Sequence, residues 1–189
     1  MAETKISRQE AIDSYAKVLE YLSKGQSLDR ADMKKTPERY VKMMEELTTE
    51  IPFEYTSFEL PDDDVGMIVQ GPIYIQSLCA HHTAPFRGEA WVAYIPGEEM
   101  IGLSKLARAV QNAGKRFSSQ EEITSKIVDD LEENIKPQGV AVSLKMQHDC
   151  MHLRGVKAHG VYTTTTKLTG AFKEQAETRQ EFFDAIKRN

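Results

Sequence analysis

A chain of 189 residues with 24 Lys and Arg against 29 Asp and Glu, net charge -5, has the size of one well-filled domain with a small appendage. The acidic balance, pI about 5.6, excludes a broad basic field for nucleic acid, so any bound nucleotide has to meet locally clustered cations. No stretch reaches the roughly 20 apolar residues of a membrane span, and Met1 to Arg8 lack the apolar core of a signal peptide. A cytoplasmic protein with neither membrane nor nucleic-acid partners is therefore expected.

The first third reads as helical. Ser7-Arg8-Gln9-Glu10 is a capping box, apolar Ala11, Ile12, Tyr15, Leu19 and Leu22 follow, and Gly25 is the expected stop. A second helix is expected from Thr36-Pro37, with Thr36 as cap and Pro37 in the first turn, placing Arg39 and Lys42 on one face. The acidic stretch Pro61-Asp62-Asp63-Asp64 reads as a solvated connection. We therefore divide the chain into a helical region 1–60 and a domain 61–189.

From Val65 the pattern turns to β. Met67 to Gln70 and Ile73 to Gln76 read as two strands separated by a Gly71-Pro72 turn, and Ala90 to Ile95 as another, closed by Pro96-Gly97. Helices are expected over about Ser104 to Ala113 and Ser119 to Asn134, the second carrying Ile123, Ile127, Val128 and Leu131 at helical spacing. Val140, Val142, Leu144 and Met146 alternate with smaller or polar residues, the signature of a half-buried strand. Tyr162 to Thr166 suits its antiparallel neighbour, with Thr163 to Thr166 turning their hydroxyls outward. A closing helix from near Glu174 buries Phe182, Phe183 and Ile186. This order favours an α+β domain with antiparallel pairing.

The densest chemical signal is Ser77-Leu78-Cys79-Ala80-His81-His82, a thiol and an imidazole at chelating spacing directly after a strand. Cys150, just beyond the strand Val140 to Met146 and two residues after His148, is the obvious third ligand. Cys79, His82 and Cys150 are the composition of a catalytic zinc site, which leaves a fourth position for water and lowers its pKa to about 7. His81 and His148 are then free to shuttle protons. Taken singly, a buried cysteine or a core histidine is the commoner reading; five such residues together favour the metal site.

These residues belong to a wider pattern: Cys79-x-His81-His82-x-x-Pro85-x-x-Gly88, Gly102-Leu103-Ser104-Lys105-x-x-Arg108, His148-x-Cys150-Met151 and Arg154-Gly155. It closely resembles the type I GTP cyclohydrolase family, from Thr36-Pro37-x-Arg39 to Arg179-x-Glu181-Phe182. The resemblance implies a GTP substrate, hydrolysed to 7,8-dihydroneopterin 3'-triphosphate and formate with a zinc-activated water. It implies zinc on Cys79, His82 and Cys150, acid–base work by His81 and His148, and contact of Ser104 with the sugar. Arg39, Lys42, Lys105, Arg108 and Arg154 would hold the triphosphate, and Gln120 and Glu121 the guanine; an exposed acidic first helical turn accounts for Ser119-Gln120-Glu121-Glu122 equally well. His152 and His159 receive no role.

The implied architecture is the tunnelling fold, in which antiparallel strand pairs and a helix pair from each subunit build an oligomeric β-barrel. Two rings stack as a homodecamer with active sites between subunits, and residues before 61 form an N-terminal helical extension. No regulatory protein partner is named by the sequence, and the product would feed folate, tetrahydrobiopterin or deazaguanine routes alike. One departure stands out: Ala80 occupies a place where the family usually has glutamate, from which we expect altered rate or pH dependence. It also keeps a second reading open, a non-catalytic zinc-stabilised GTP-binding homologue with a regulatory role. Two tunnelling-fold relatives fit less well, since pterin synthases bind zinc through histidines and nitrile-reducing deazaguanine enzymes use a nucleophilic cysteine without metal.

Overall fold

The computed structural model describes residues 5–24, 31–61 and 65–188, and the chain divides into two compact units, Met1–Thr49 and Glu50–Asn189. In the first unit, α1 (Arg8–Ser23) starts from Ser7, whose hydroxyl and backbone exchange hydrogen bonds with Glu10 as a full capping box. The expected stop at Gly25 lies outside the described residues, as do Asp62 to Asp64; the left-handed Lys24, φ 47°, caps the helix end. α2 (Thr36–Thr48) packs on α1, with Tyr15 and Tyr40 stacked at 3.7 Å between ring centroids. Thr36 does not cap it. The flanking residue is Lys35, and the Thr36 hydroxyl turns instead to the Met33 sulfur.

In the second unit a five-stranded sheet runs in the order β5 (Phe117–Ser118), β2 (Ile68–Cys79), β3 (Pro85–Ile95), β6 (Gly139–His148), β7 (Thr163–Leu168). Only the short β5–β2 pairing is parallel. A separate ribbon pairs β1 (Ser57–Glu59) with β4 (Glu99–Ile101). Helices α3 (Leu103–Ala113) and α4 (Gln120–Ile135) cover one sheet face, while α6 (Gly170–Glu174) and α7 (Ala176–Lys187) cover the other; α5 (Asp149–His152) is a single turn after β6. Among the described residues no helix is long and apolar enough to cross a membrane.

Gly71-Pro72 does not reverse the chain. β2 continues through it, and the register against β3 shifts between Gln70 and Ile73 as a bulge. The physical reason lies across the ladder: a Cβ on Gly71 would overlap the Trp91 ring, so the glycine lets the indole lie against the irregular strand.

The period-2 pattern of β6 is real, but the strand is buried on both sides. Val140, Val142, Leu144 and Met146 meet Leu106, Val110, Ile123, Ile127 and Leu131 of α3 and α4 in the main core. Ala141 on the opposite face joins Ala93, Phe172 and Phe182 in a second core, and Ser143 is buried too. The closing helical pattern is broken in two at Gln175, and Phe182 is fully buried while Phe183 and Ile186 are partly so.

At Gly88 of β3 an added Cβ would run into the backbone of Lys145 and Met146 on β6. Gly88→Ala is expected to destabilise the fold by about 1–3 kcal/mol, in the range of forced overpacking. A shift of the urea midpoint at unchanged slope measures it; an unchanged midpoint would show that the strands separate freely.

Candidate metal centre and active site

β2 and β3 are joined by a tight turn, closed by hydrogen bonds from Cys79 N–H to the Ala84 carbonyl and from Thr83 N–H to the Cys79 carbonyl, both 2.8 Å. Thr83 is left-handed at φ 53°. This reversal folds His81 and His82 back on the thiol, with Cys79 Sγ 3.9 Å from His81 Nδ1 and 3.7 Å from His82 Nδ1. β5 braces the turn: Ser118 pairs with Cys79, and Ala80 N–H donates to the Ser118 carbonyl at 3.1 Å.

The third arm arrives from β6. Antiparallel register places His148 opposite Phe86, and the chain enters α5 at once, so Cys150 falls in its first turn. The ligand atoms of Cys79, His82 and Cys150 lie within 4.8 Å of one another, the one such group among the described residues. The 3.7 Å sulfur–nitrogen separation suits two ligands sharing a tetrahedral ion with bonds of about 2.0–2.3 Å. Burial, and then the neighbouring Cys79, push the Cys150 thiol up from its ordinary pKa. A cation bound between the two sulfurs would hold them as thiolates by reversing the local charge balance. The donor set therefore fits a thiophilic divalent metal.

Two features of this neighbourhood have no signal in the linear sequence. Arg87 of β3 pairs at 3.2 Å with Asp149, a carboxylate largely buried between His148 and Cys150, and so ties the ligand-bearing turn to the sheet. Phe86 stacks on the His148 ring at 4.6 Å with planes 6° apart. Burial lowers the His148 pKa from its ordinary value, opposed by the charge of Glu121 and reinforced by that of His152.

The other expected residues divide. Glu121 is exposed and lines an open groove of about 540 Å³ with Arg116 and Lys126. Gln120, expected to face guanine, is 1% exposed, and its amide is bonded to His148, Leu144, Thr163 and Thr165. Thr165 likewise turns inward to Thr124 at 2.7 Å, against the outward placement expected of it. The Arg154 charge reaches Cys150 from the loop after α5. Ser104, Lys105 and Arg108 follow one another along α3, and Arg108 lines a cavity of about 490 Å³ with Tyr74, Gln76 and Asn112 that none of the three metal-ligating side chains lines. Arg39 and Lys42 sit on α2 in the first unit, Arg39 donating to the Asp32 carbonyl at 3.3 Å and Lys42 lying 3.9 Å from Glu46.

In this α+β fold two thiols and an imidazole converge on one point with further histidines beside them, a group that could hold a metal ion through three protein ligands. The chain belongs to the GTP cyclohydrolase I family, whose model matches residues 12–187. It is 37% identical to "GTP cyclohydrolase 1" of a Hydrogenobaculum species over 182 residues, 96% of this chain and 99% of that protein. Proteins of the same name from Parabacteroides distasonis and Bacillus subtilis are 39% and 36% identical, covering 99% and 97% of this chain and 96% and 98% of their own lengths. The helix pair α3–α4 over a mainly antiparallel sheet is consistent with the tunnelling fold of that family.

Replacing either sulfur would leave two of the three candidate ligands. Cys79→Ala and Cys150→Ala are each expected to weaken zinc binding by more than about 100-fold, beyond what loss of a supporting partner costs. Metal analysis after dialysis against a competing chelator tests this; full zinc retention in either variant would remove that cysteine from the ligand set.

Proposed function

We propose that the protein is a zinc-dependent GTP cyclohydrolase I that converts GTP to 7,8-dihydroneopterin 3'-triphosphate and formate. The observation that carries this reading is the convergence of Cys79, His82 and Cys150 within 4.8 Å, with His81 and His148 beside them. Thiolate donors favour zinc over harder cations. Zinc held by these three residues supplies Lewis acidity that makes water nucleophilic at neutral pH.

The chain's own residues do the rest. His148, fixed against Phe86, holds and moves the proton at N7 of the guanine, which makes the adjacent C8 electrophilic. His81, exposed on the Cys79–Ala84 turn, serves as the second proton carrier during ring opening. Glu121 accepts hydrogen bonds from the guanine N1–H and exocyclic amine, while Gln120 acts from behind His148. Ser104 meets the sugar, and Lys105, Arg108, Arg154, Arg39 and Lys42 bind the triphosphate, arginines as forks and lysines as point charges.

We further propose a cytoplasmic homodecamer with sites between subunits, whose product serves folate, tetrahydrobiopterin or deazaguanine synthesis. Two features support assembly. Among the described residues the outer edge of β7 is unpaired, and β2 pairs on its outer side only at Leu78 and Cys79; such edges invite neighbouring strands. The division into a helical extension 1–60 and a catalytic domain 61–189 belongs to the same proposal.

Zinc-loaded protein is expected to release formate from GTP, chelation to abolish release and added zinc to restore it. His148→Ala and His81→Ala are each expected to lower kcat by about 10²–10⁴-fold, the range for loss of a general acid or base, with zinc content unchanged. Zinc and GTP binding without formate from wild type would sink the enzymatic reading and favour a non-catalytic homologue, for which Ala80 is the pointer.

A further inference from the structure

Gln120 is the first residue of α4 and almost fully buried, yet it is polar and its amide is engaged at both ends. The direction of every bond around it follows from what each atom can do. Its side-chain nitrogen lies 3.0 Å from the Thr163 carbonyl and 3.3 Å from the Leu144 carbonyl, and a carbonyl only accepts. The NH₂ end must therefore face these two strands, because the reversed amide would set oxygen against oxygen. The Thr124 hydroxyl donates to the Gln120 backbone carbonyl at 2.8 Å, so the Thr165 hydroxyl donates to Thr124 Oγ1 at 2.7 Å and is left to accept from the Gln120 amide at 3.1 Å. Only Oε1 remains, and it faces His148 Nε2 at 2.8 Å. An oxygen with no hydrogen requires a donor there.

We propose that Gln120 is a positioning residue that locks His148 in the tautomer protonated on Nε2, so that Nδ1 is the nitrogen turned to the reaction. Carbonyls of β6 and β7 thus select, through one amide, which nitrogen of the histidine works. The assignment of Nδ1 to guanine N7, where it donates only after taking up a proton to form the imidazolium with Nε2–H still on Gln120, rests on the cyclohydrolase reading above; the resting tautomer does not. With Phe86 stacked on its face, the ring is restrained both in plane and in protonation. This role also separates the consecutive pair Gln120 and Glu121, the former inside the protein and the latter exposed.

The test is nitrogen NMR of the zinc-loaded protein labelled in histidine, at pH 8, with His148 assigned by its loss in His148→Ala. Wild type is expected to show a protonated Nε2 and a bare Nδ1. Gln120→Leu, similar in volume and without polar atoms, is expected to give averaged nitrogen shifts from mixed tautomers. In the same variant, formate release should fall about 10–100-fold in kcat with the KM for GTP changed less than about twofold, as for loss of an orienting partner. A wild-type spectrum with the proton on Nδ1 overturns the proposal even if Gln120→Leu does not fold. So does an unchanged tautomer in a folded Gln120→Leu, or a rise in KM at constant kcat, which would mark Gln120 as a guanine contact. Failure of the wild type to release formate would overturn the cyclohydrolase reading while leaving the spectrum to decide the tautomer.

Discussion

The pairing of β3 with β6 is the constraint on which the rest depends. Its register runs unbroken from Ile95 opposite Gly139 to Phe86 opposite His148. One face of this ladder, with Ala90, Val92, Val142 and Leu144, lies under α3 and α4, and the other, with Ala93 and Ala141, lies under α6 and α7. A slip by one residue would exchange the two sets and put small residues where the large core needs bulk. Because the strands are antiparallel, the start of β3 and the end of β6 meet at the same edge of the sheet. The segment before β3 carries Cys79 and His82, and the segment after β6 carries Cys150. Hydrophobic burial thereby sets how closely the three ligands approach one another.

Local chemistry was legible mostly where the decisive partner lies near in sequence, with Thr36, whose hydroxyl turns to Met33 instead of capping α2, as the exception. The Ser7 capping box, the helical periodicity of α4 and the alternation in β6 all depend on residues a few positions apart. What escaped depended on something distant. Gly71-Pro72 carries a turn signal, yet the Trp91 ring across the ladder lets it serve as a bulge within one strand. β6 alternates like a half-buried strand, but the second layer that covers its Ala141 and Ser143 comes from helices near the end of the chain. β5 is only two residues long, too short for any periodicity, and yet it braces the metal turn.

The start of α4 shows why a structural and a functional reading of the same residues need not compete. An exposed acidic first turn was as good an account of Gln120, Glu121 and Glu122 as a substrate site, and all three side chains have separate work. Glu122 closes the capping box, its carboxyl held below the ordinary range first by the Ser118 hydroxyl and then by the Ser119 N–H. Since Ser118 is also the residue paired with Cys79, the cap that begins the helix helps to fix the turn that carries two of the three candidate metal ligands. With about 100° between successive helical residues, Gln120 turns inward and Glu121 outward. Sequence spacing says that neighbours diverge; only the fold says which one enters the core.

Charge poses the remaining problem. A protein of net charge -5 can hold a tetra-anionic nucleotide only by concentrating cations, and like charges resist concentration until the anion or a neighbouring chain compensates them. Arg108 lies along α3 beside its own cavity, Arg154 lies near Cys150, and Arg39 is occupied with the Asp32 carbonyl in another unit. Within the second unit no hydrogen bond or ion pair among the described residues draws Arg108 and Arg154 together. An assembly that pairs the open edges of β2 and β7 would bring cations of different chains toward one pocket, and the bound triphosphate would then repay their mutual repulsion. On this argument the proposed oligomer and the proposed nucleotide site would be two consequences of one requirement, that the positive charge for GTP be dispersed in the free chain and gathered only when something negative is there to hold it.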